Sequence, residues 1–395
     1  MQVNDAAVAS GSAARLSTRL SFLVAGLVAA SWAPQVPYAK ARLGVDESAF
    51  GLLLLCPGIG SVLAMQFTAA LAARIGSRPF ILIGGAGLCL TFPWLACANT
   101  AFSLATCLLV FGASLGSLDV AMNVQAVEVE QAAAEPLMSG FHGMYSLGGL
   151  IGAASGAALL SGGLQPATAA TVAAFAAAVL LVLAAPGLRR SRSARTAPLL
   201  AIPRGIVTLI GALAFIAFLT EGAILNWSAL LLTGSFGVPA AQAGIGYALF
   251  SVAMASGRLT GDFVVKRLGQ RKTLLCGGLM VTAGFALLLL PLVWIASGGF
   301  LLIGLGAANL VPILFSSAGR QNAMPAPFAV ASITTLGYAG VLAGPAAIGF
   351  IASLTSLRAA FAVLGLIMLS FPLFRGRIPT AATGKVVRCE QAISP

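Results

Sequence analysis

Twelve apolar stretches, each long enough to cross a bilayer and divided six and six by one basic linker, constrain this 395-residue chain more than any other feature. A helix rises 1.5 Å per residue, so about 20 apolar residues cross the hydrocarbon core, where the backbone must satisfy its own hydrogen bonds. With that window the stretches fall at 21–38, 50–72, 79–97, 102–127, 137–162 and 167–184, then at 205–231, 243–264, 273–295, 300–317, 328–352 and 359–373. The expected fold is an all-α membrane protein of twelve transmembrane helices in two pseudo-symmetric six-helix bundles. The bundles occupy residues 1–186 and 205–376, with a basic linker at 187–204 and a tail at 377–395. Only 8% of residues are charged against 59% hydrophobic, and mean hydropathy is +1.00. A soluble domain carries about 25% charged residues, so none is expected beside the spans.

Lys and Arg set the orientation. With the N-terminus in the cytoplasm, all 22 of them except Lys40, Arg42 and Arg358 fall on the cytoplasmic side, the bias that the positive-inside rule describes. Both termini are then expected in the cytoplasm, the membrane is expected to be an inner, cytoplasmic one, and the chain is expected to act as a monomer. The net charge of +12 is loop bias answered by anionic lipid, and no nucleic-acid partner is expected. Trp94, Trp227 and Trp294 fall near the outer ends of their spans, where amphipathic rings favour the interface.

Arg15 and Arg19 before the first stretch, with Ala39-Lys40-Ala41 after it, resemble a secretory signal. The apolar run is longer than the roughly 7–15 residues of such a signal, so it is expected to remain as the first span. Cys56, Cys89, Cys97, Cys107 and Cys276 fall in spans and Cys389 in the tail, without paired spacing. Neither a disulfide nor a metal site is expected. The chain also lacks a phosphate-binding Gly-Lys-Ser/Thr loop and a serine with base and acid beside it, so neither an enzyme nor a cofactor is expected.

The two halves repeat each other. A shift of 190 residues lays Leu115-Gly116-Ser117-Leu118-Asp119 over Leu305-Gly306-Ala307-Ala308-Asn309, and Gln131 over Gln321. A shift of 193 pairs Arg74-Ile75-Gly76-Ser77-Arg78 with Arg267-Leu268-Gly269-Gln270-Arg271, in the loops after the second and eighth spans. Such duplication is a mark of transporter folds. With Gly257-Arg258-Leu259-Thr260-Gly261-Asp262 ahead of Arg267, Gly269 and Arg271, the second copy resembles the Gly-x-x-x-Asp-Arg-x-Gly-Arg-Arg loop of the major facilitator superfamily. In the first copy Ala73 stands where that loop has its aspartate. The resemblance covers nearly the whole chain. It implies two bundles rocking about a central cavity, with Arg74, Gly76, Arg78, Arg258, Asp262, Arg267, Gly269 and Arg271 as gating-loop residues.

Two acids stand out inside the spans, Asp119 in the fourth and Glu221 in the seventh. A charged residue at a span centre costs about 2.5–3.5 kcal/mol of insertion free energy and ordinarily faces a cavity or a partner. Low dielectric disfavours the charged carboxylate, so both are candidate proton carriers. Helical spacing sets Gly112, Gly116, Asp119 and Asn123 on one stripe, where a ligand or a neighbouring backbone can approach. His142, the only histidine, enters the fifth span at a depth like that of Asn123; it is either a relay with Asp119 or a neutral spacer. Ser146, Gly149, Gly152 and Gly156 give the same span a small face suited to close packing.

The string Asp119-Val120-Ala121-Met122-Asn123 resembles the fourth-helix pattern of fucose/proton symporter-type sugar porters. Where those porters carry an acid in the first helix, this chain has Trp32 and Gln35. The run Glu221-Gly222 with Asn226-Trp227-Ser228-Ala229-Leu230 resembles a bacterial branch of the superfamily. Solute contacts are therefore expected at Trp32, Gln35, Asn123, Asn226, Asn309 and Tyr338, and proton coupling at Asp119, Glu221 and His142. The expected function is secondary active transport of a small polar solute, sugar-like in the nearest resemblance, coupled to protons as symport. Two alternatives stay open, proton-driven export of amphipathic compounds and a non-transporting membrane sensor of the same fold.

Overall fold

The structure, a computed structural model, describes residues 2–45, 47–189, 202–239 and 244–380. The linker arginines Arg190, Arg192 and Arg195, and Cys389 in the tail, lie outside the described residues. In chain order the spans are α1 (Gly11–Leu43), α2 (Cys56–Ile75), α3 (Arg78–Cys97), α4 (Ala101–Ala133), α5 (Met138–Ser161), α6 (Pro166–Gly187) and α7 (Ile206–Phe236). After these come α8, made of Ile245–Leu259 and Gly261–Leu268, then α9 (Gln270–Leu288), α10 (Val293–Arg320), α11 (Ala326–Leu354) and α12 (Leu357–Phe374). Among the described residues, eleven helices are long and apolar enough to cross a membrane by themselves; α8, bent by 59° between its segments, brings the total to twelve when counted as one span. No strand occurs among the described residues.

Several helices overrun the apolar windows that announce them. Spans α1 and α4 each run for 33 residues and α7 for 31, because backbone hydrogen bonding continues past the first polar side chain whereas a hydropathy window stops there. Proline explains the interruptions of α1, α10 and α12. A 3₁₀ turn at Ala33–Gln35 holds Pro34 and divides α1, which resumes at Val36–Leu43 with Pro37 in its first turn. In α10 the helix breaks between Ala307 and Leu310, and in α12 between Ile367 and Ser370. Pro312 and Pro372 each follow by four residues a carbonyl, at Ala308 and Met368, with which the proline ring would clash in an unbroken helix.

The sixfold offset is visible in the packing. Spans α1, α2 and α3 lie on α5, α4 and α6, and α3 also on α4; adding six gives α7 on α11, α8 on α10, α9 on α12 and α9 on α10, all of which occur. Across the molecule α2 faces α11 and α5 faces α8. Lipid supplies no hydrophobic drive for these contacts, so they depend on close backbone approach. A Cβ at Gly148 of α5 would run into the Leu23 carbonyl of α1, and one at Gly340 of α11 into the Phe215 carbonyl of α7. Gly76 (φ 91°, ψ 166°) and Gly269 (φ 79°, ψ 154°), paired by the 193-residue shift, share one backbone conformation, and it is open essentially to glycine alone.

Trp94 and Trp294 are 70% and 84% exposed, as interfacial rings would be. Trp227 is not an exposed ring of that kind: it is half-buried and lies against Gly349 of α11. Cys56, Cys89, Cys97, Cys107 and Cys276 are free thiols.

Candidate functional site

Between the halves lies a cavity of about 460 Å³, walled by α1, α4 and α5 of the first half and by α7, α8, α10 and α11 of the second. Three of the four tyrosines line it, Tyr145, Tyr247 and Tyr338, beside an apolar wall of Phe22, Met122, Phe218, Phe250, Met254 and Phe315. Its polar groups form two sets. In the first, the Asn123 amide donates to both the carbonyl and the Oδ1 of Asp119, each at 2.9 Å, and the Tyr338 hydroxyl hydrogen-bonds the same carboxylate from the other half. Asp119 thus has two neutral partners.

In the second set, Arg258 places Nη2 2.9 Å from Glu221 Oε1 and donates through Nη1 to Ser146 Oγ at 3.0 Å. The guanidinium joins α7 and α8 to α5, and so one half to the other. Arg258 was expected with Asp262 in a gating loop, but the bend at Thr260 separates them. Arg258 lies in the last turn of the first segment of α8, 8% exposed and lining the cavity; Asp262 lies in the first turn of the second segment and faces α5.

His142 closes the basic side of the cavity between aromatic rings, 5.2 Å from the Phe22 centroid and 5.4 Å from that of Phe315. Phe22 in turn stacks on Phe141 at 5.9 Å. Beneath this floor, at the end of the molecule carrying the loops after α2, α4, α8 and α10, charged side chains bridge the two halves. Glu130 of α4 accepts the Leu137 and Met138 N–H groups through Oε2 at 3.0 and 2.9 Å, while its Oε1 lies 3.2 Å from Arg320 Nη2 of α10. Asp262 accepts the Gly140 N–H at 3.0 Å and also that of Ser139. Two carboxylates, one from each half, therefore grip the positive N-terminus of α5. Glu135 adds Arg15 at 2.7 Å and Lys266 at 3.6 Å. Arg74, Arg78, Arg267 and Arg271 lie at the same end, with Arg267 stacked over Phe263 at 4.9 Å.

Several expected contacts are not on the cavity wall. The Gln35 amide donates to the Pro166 carbonyl at 3.1 Å, pinning the kinked end of α1 to α6, and Trp32 packs on the core beside that kink. Asn226 is exposed and donates to the Gly222 carbonyl one turn back in its own helix at 2.7 Å. Asn309 packs at the α8 bend, donating to the Gly257 carbonyl at 3.3 Å, with its Oδ1 where a Cβ on Gly261 would lie. Gly112 and Gly116 of the stripe face the Pro57 and Ser61 backbone of α2, leaving only Asp119 and Asn123 for the cavity. In α5 the face divides, Gly152 against the Leu27 carbonyl of α1, Ser146 and Gly149 towards the cavity.

The residues not foreseen are Tyr145, Tyr247 and the Glu130–Arg320 pair. A signal for the pair was present, since the shift of 190 residues that matches Gln131 with Gln321 also matches Glu130 with Arg320. The duplicated positions face each other across the pseudo-twofold and carry opposite charge.

A model of the Major Facilitator Superfamily matches residues 18–213 and again 210–386. The chain belongs to the major facilitator superfamily. An uncharacterized MFS-type transporter of Yersinia pestis is 51% identical over 372 residues, 93% of this chain and 97% of that one. The uncharacterized transporter y4wD of Sinorhizobium fredii is 34% identical over 363 residues, 87% and 93% of the two chains. Among solved structures, the Escherichia coli fucose:proton symporter FucP superposes with a TM-score of 0.74 over 93% of this chain and 98% of that one, at 15% identity. The fold is thus the major facilitator fold, and the chain is a multi-pass membrane transporter.

Proposed function

We propose that this transporter carries a small polar solute across a bacterial inner membrane by alternating access, coupled to protons as symport, with both termini in the cytoplasm. The observation that carries this reading is the shared cavity: Asp119 and Glu221, one acid from each half, line the same space in which a solute would sit. Burying a carboxylate is costly unless it is paired or neutralised. Protonation of an acid therefore lowers the cost of closing the cavity around its load, and the proton gradient favours reorientation in one direction. The sealed basic end supports assigning the described state as closed towards the cytoplasm.

The sugar-like part of the reading draws on the resemblance of the Asp119 to Asn123 string to FucP-type porters, and on the hydroxyl-bearing tyrosines beside it. The apolar wall favours the second reading, proton-driven export of amphipathic compounds. Uptake into proteoliposomes under an imposed pH gradient, for wild type, Asp119→Asn and Glu221→Gln, tests the proposal. Proton-driven accumulation is expected in wild type, and its pH dependence is expected to flatten in at least one variant. Identical pH profiles in all three proteins refute the assignment of the acids. Solute binding without any flux would favour a sensor.

A further inference from the structure

We infer that Arg258 is the solute-holding residue of the cavity, that the solute carries a carboxylate, and that this carboxylate takes the place of Glu221. The inference rests on the transporter reading and names the solute class. A guanidinium binds a carboxylate best through two parallel bonds, and Nε with Nη2 forms one edge suited to that. Glu221 reaches only Nη2 of this edge, through one oxygen at 2.9 Å, and Nε has no partner among the described residues although Arg258 is 8% exposed. The internal pair is thus monodentate on an edge made for two bonds. His142 Nε2, in the same cavity and 9% exposed, is also without a partner. Two polar side chains, one from each half and each more than nine-tenths buried, therefore bring to the cavity a nitrogen without a partner among the described residues.

The exchange also places the proton. The titratable and charged groups sharing the cavity with Glu221 are Arg258 and Tyr247 from α8, His142 and Tyr145 from α5, Asp119 from α4 and Tyr338 from α11. Arg258 is the one strong cation among them. Once an incoming carboxylate occupies it, Glu221 is left as an anion without a counter-ion in a half-closed space shared with Asp119. Glu221 then takes up a proton that the bulk solvent and its buffer supply, so no hydroxide is left behind in the cavity. The solute brings one negative charge and Glu221 gains one positive charge, so the cavity keeps its net charge whatever the state of Asp119. Loading is electroneutral, with one proton for each carboxylate. The apolar and aromatic wall suits the remainder of a small organic acid.

The test uses the full-length protein in nanodiscs in weak buffer, with lactate, butyrate and benzoate each beside its own amide, reading the melting temperature and the proton uptake of a pH dye. At least one acid is expected to raise the melting temperature and to take up one proton per molecule bound, and its amide to do neither. Arg258→Lys keeps the charge but loses the two-pronged edge, and is expected to weaken acid binding by about tenfold or more. Glu221→Gln is expected to bind the acid with no proton uptake, a separation that a merely structural role would not produce. Failure of all three acids to bind, an amide that binds as well as its acid, or undiminished proton uptake in Glu221→Gln overturns the inference. If a neutral amide binds instead, transport of a polar solute still stands. If neither class binds and no proton-driven uptake occurs, both proposals fall.

Discussion

At the residue scale, cost separates what was legible from what was not. Asp119 and Glu221 announced themselves because an acid in a span must be compensated, and both line the cavity. Trp32, Gln35, Asn226 and Asn309 are polar or amphipathic as well, but composition does not say which way a side chain points, and each finds its partner in backbone or core. Arg258 was hidden by its own motif: the loop pattern assigns it to a gate, whereas the bend two residues later turns it inward. Glycines are legible as a class and not one by one. Gly148 abuts the Leu23 carbonyl, whereas a Cβ at Gly298 meets nothing within 4 Å. Gly148→Val is therefore expected to destabilise the fold by about 1–3 kcal/mol through overpacking, and Gly298→Ala to leave it unchanged, as read from melting temperatures in detergent. Equal effects of the two substitutions would contradict the packing assigned to α1 and α5.

At the scale of elements, helices were legible and their ends were not. The windows located every span, yet α8 bends where no proline stands, with Gly257 and Gly261 lying close to Ala308 and Asn309 of α10. That bend brings Asp262 to the N-terminus of α5, a tertiary contact invisible to periodicity. The shift of 193 residues lays Asp262 over Ala69, fully buried, in the first half, so the carboxylate latch is built on one side only. Asp262→Asn removes a charge from its grip on two backbone N–H groups. It is expected to loosen the basic end and to speed labelling of a Ser139→Cys probe by a small maleimide, because Ser139 is 2% exposed while the latch holds. Labelling no faster than in the Ser139→Cys parent would show that Asp262 does not hold α5.

At the scale of the whole molecule, the repeat detected in sequence is the repeat seen in packing, down to a pair of glycines with one backbone conformation and to Glu130 meeting its own duplicate Arg320. The cavity itself was less legible, because it is made of faces from seven spans that only the assembled halves bring together. Alternating access about that cavity is the central claim, and paired spin labels test it most directly. With the six native cysteines replaced, one pair is placed at Ala132 and Leu268 across the basic end and another at Ala41 and Ser353 across the opposite end, all four positions exposed. Acidification together with a bound solute is expected to lengthen the first distance while shortening the second. Distances that stay fixed under every condition, or that lengthen together, would contradict it.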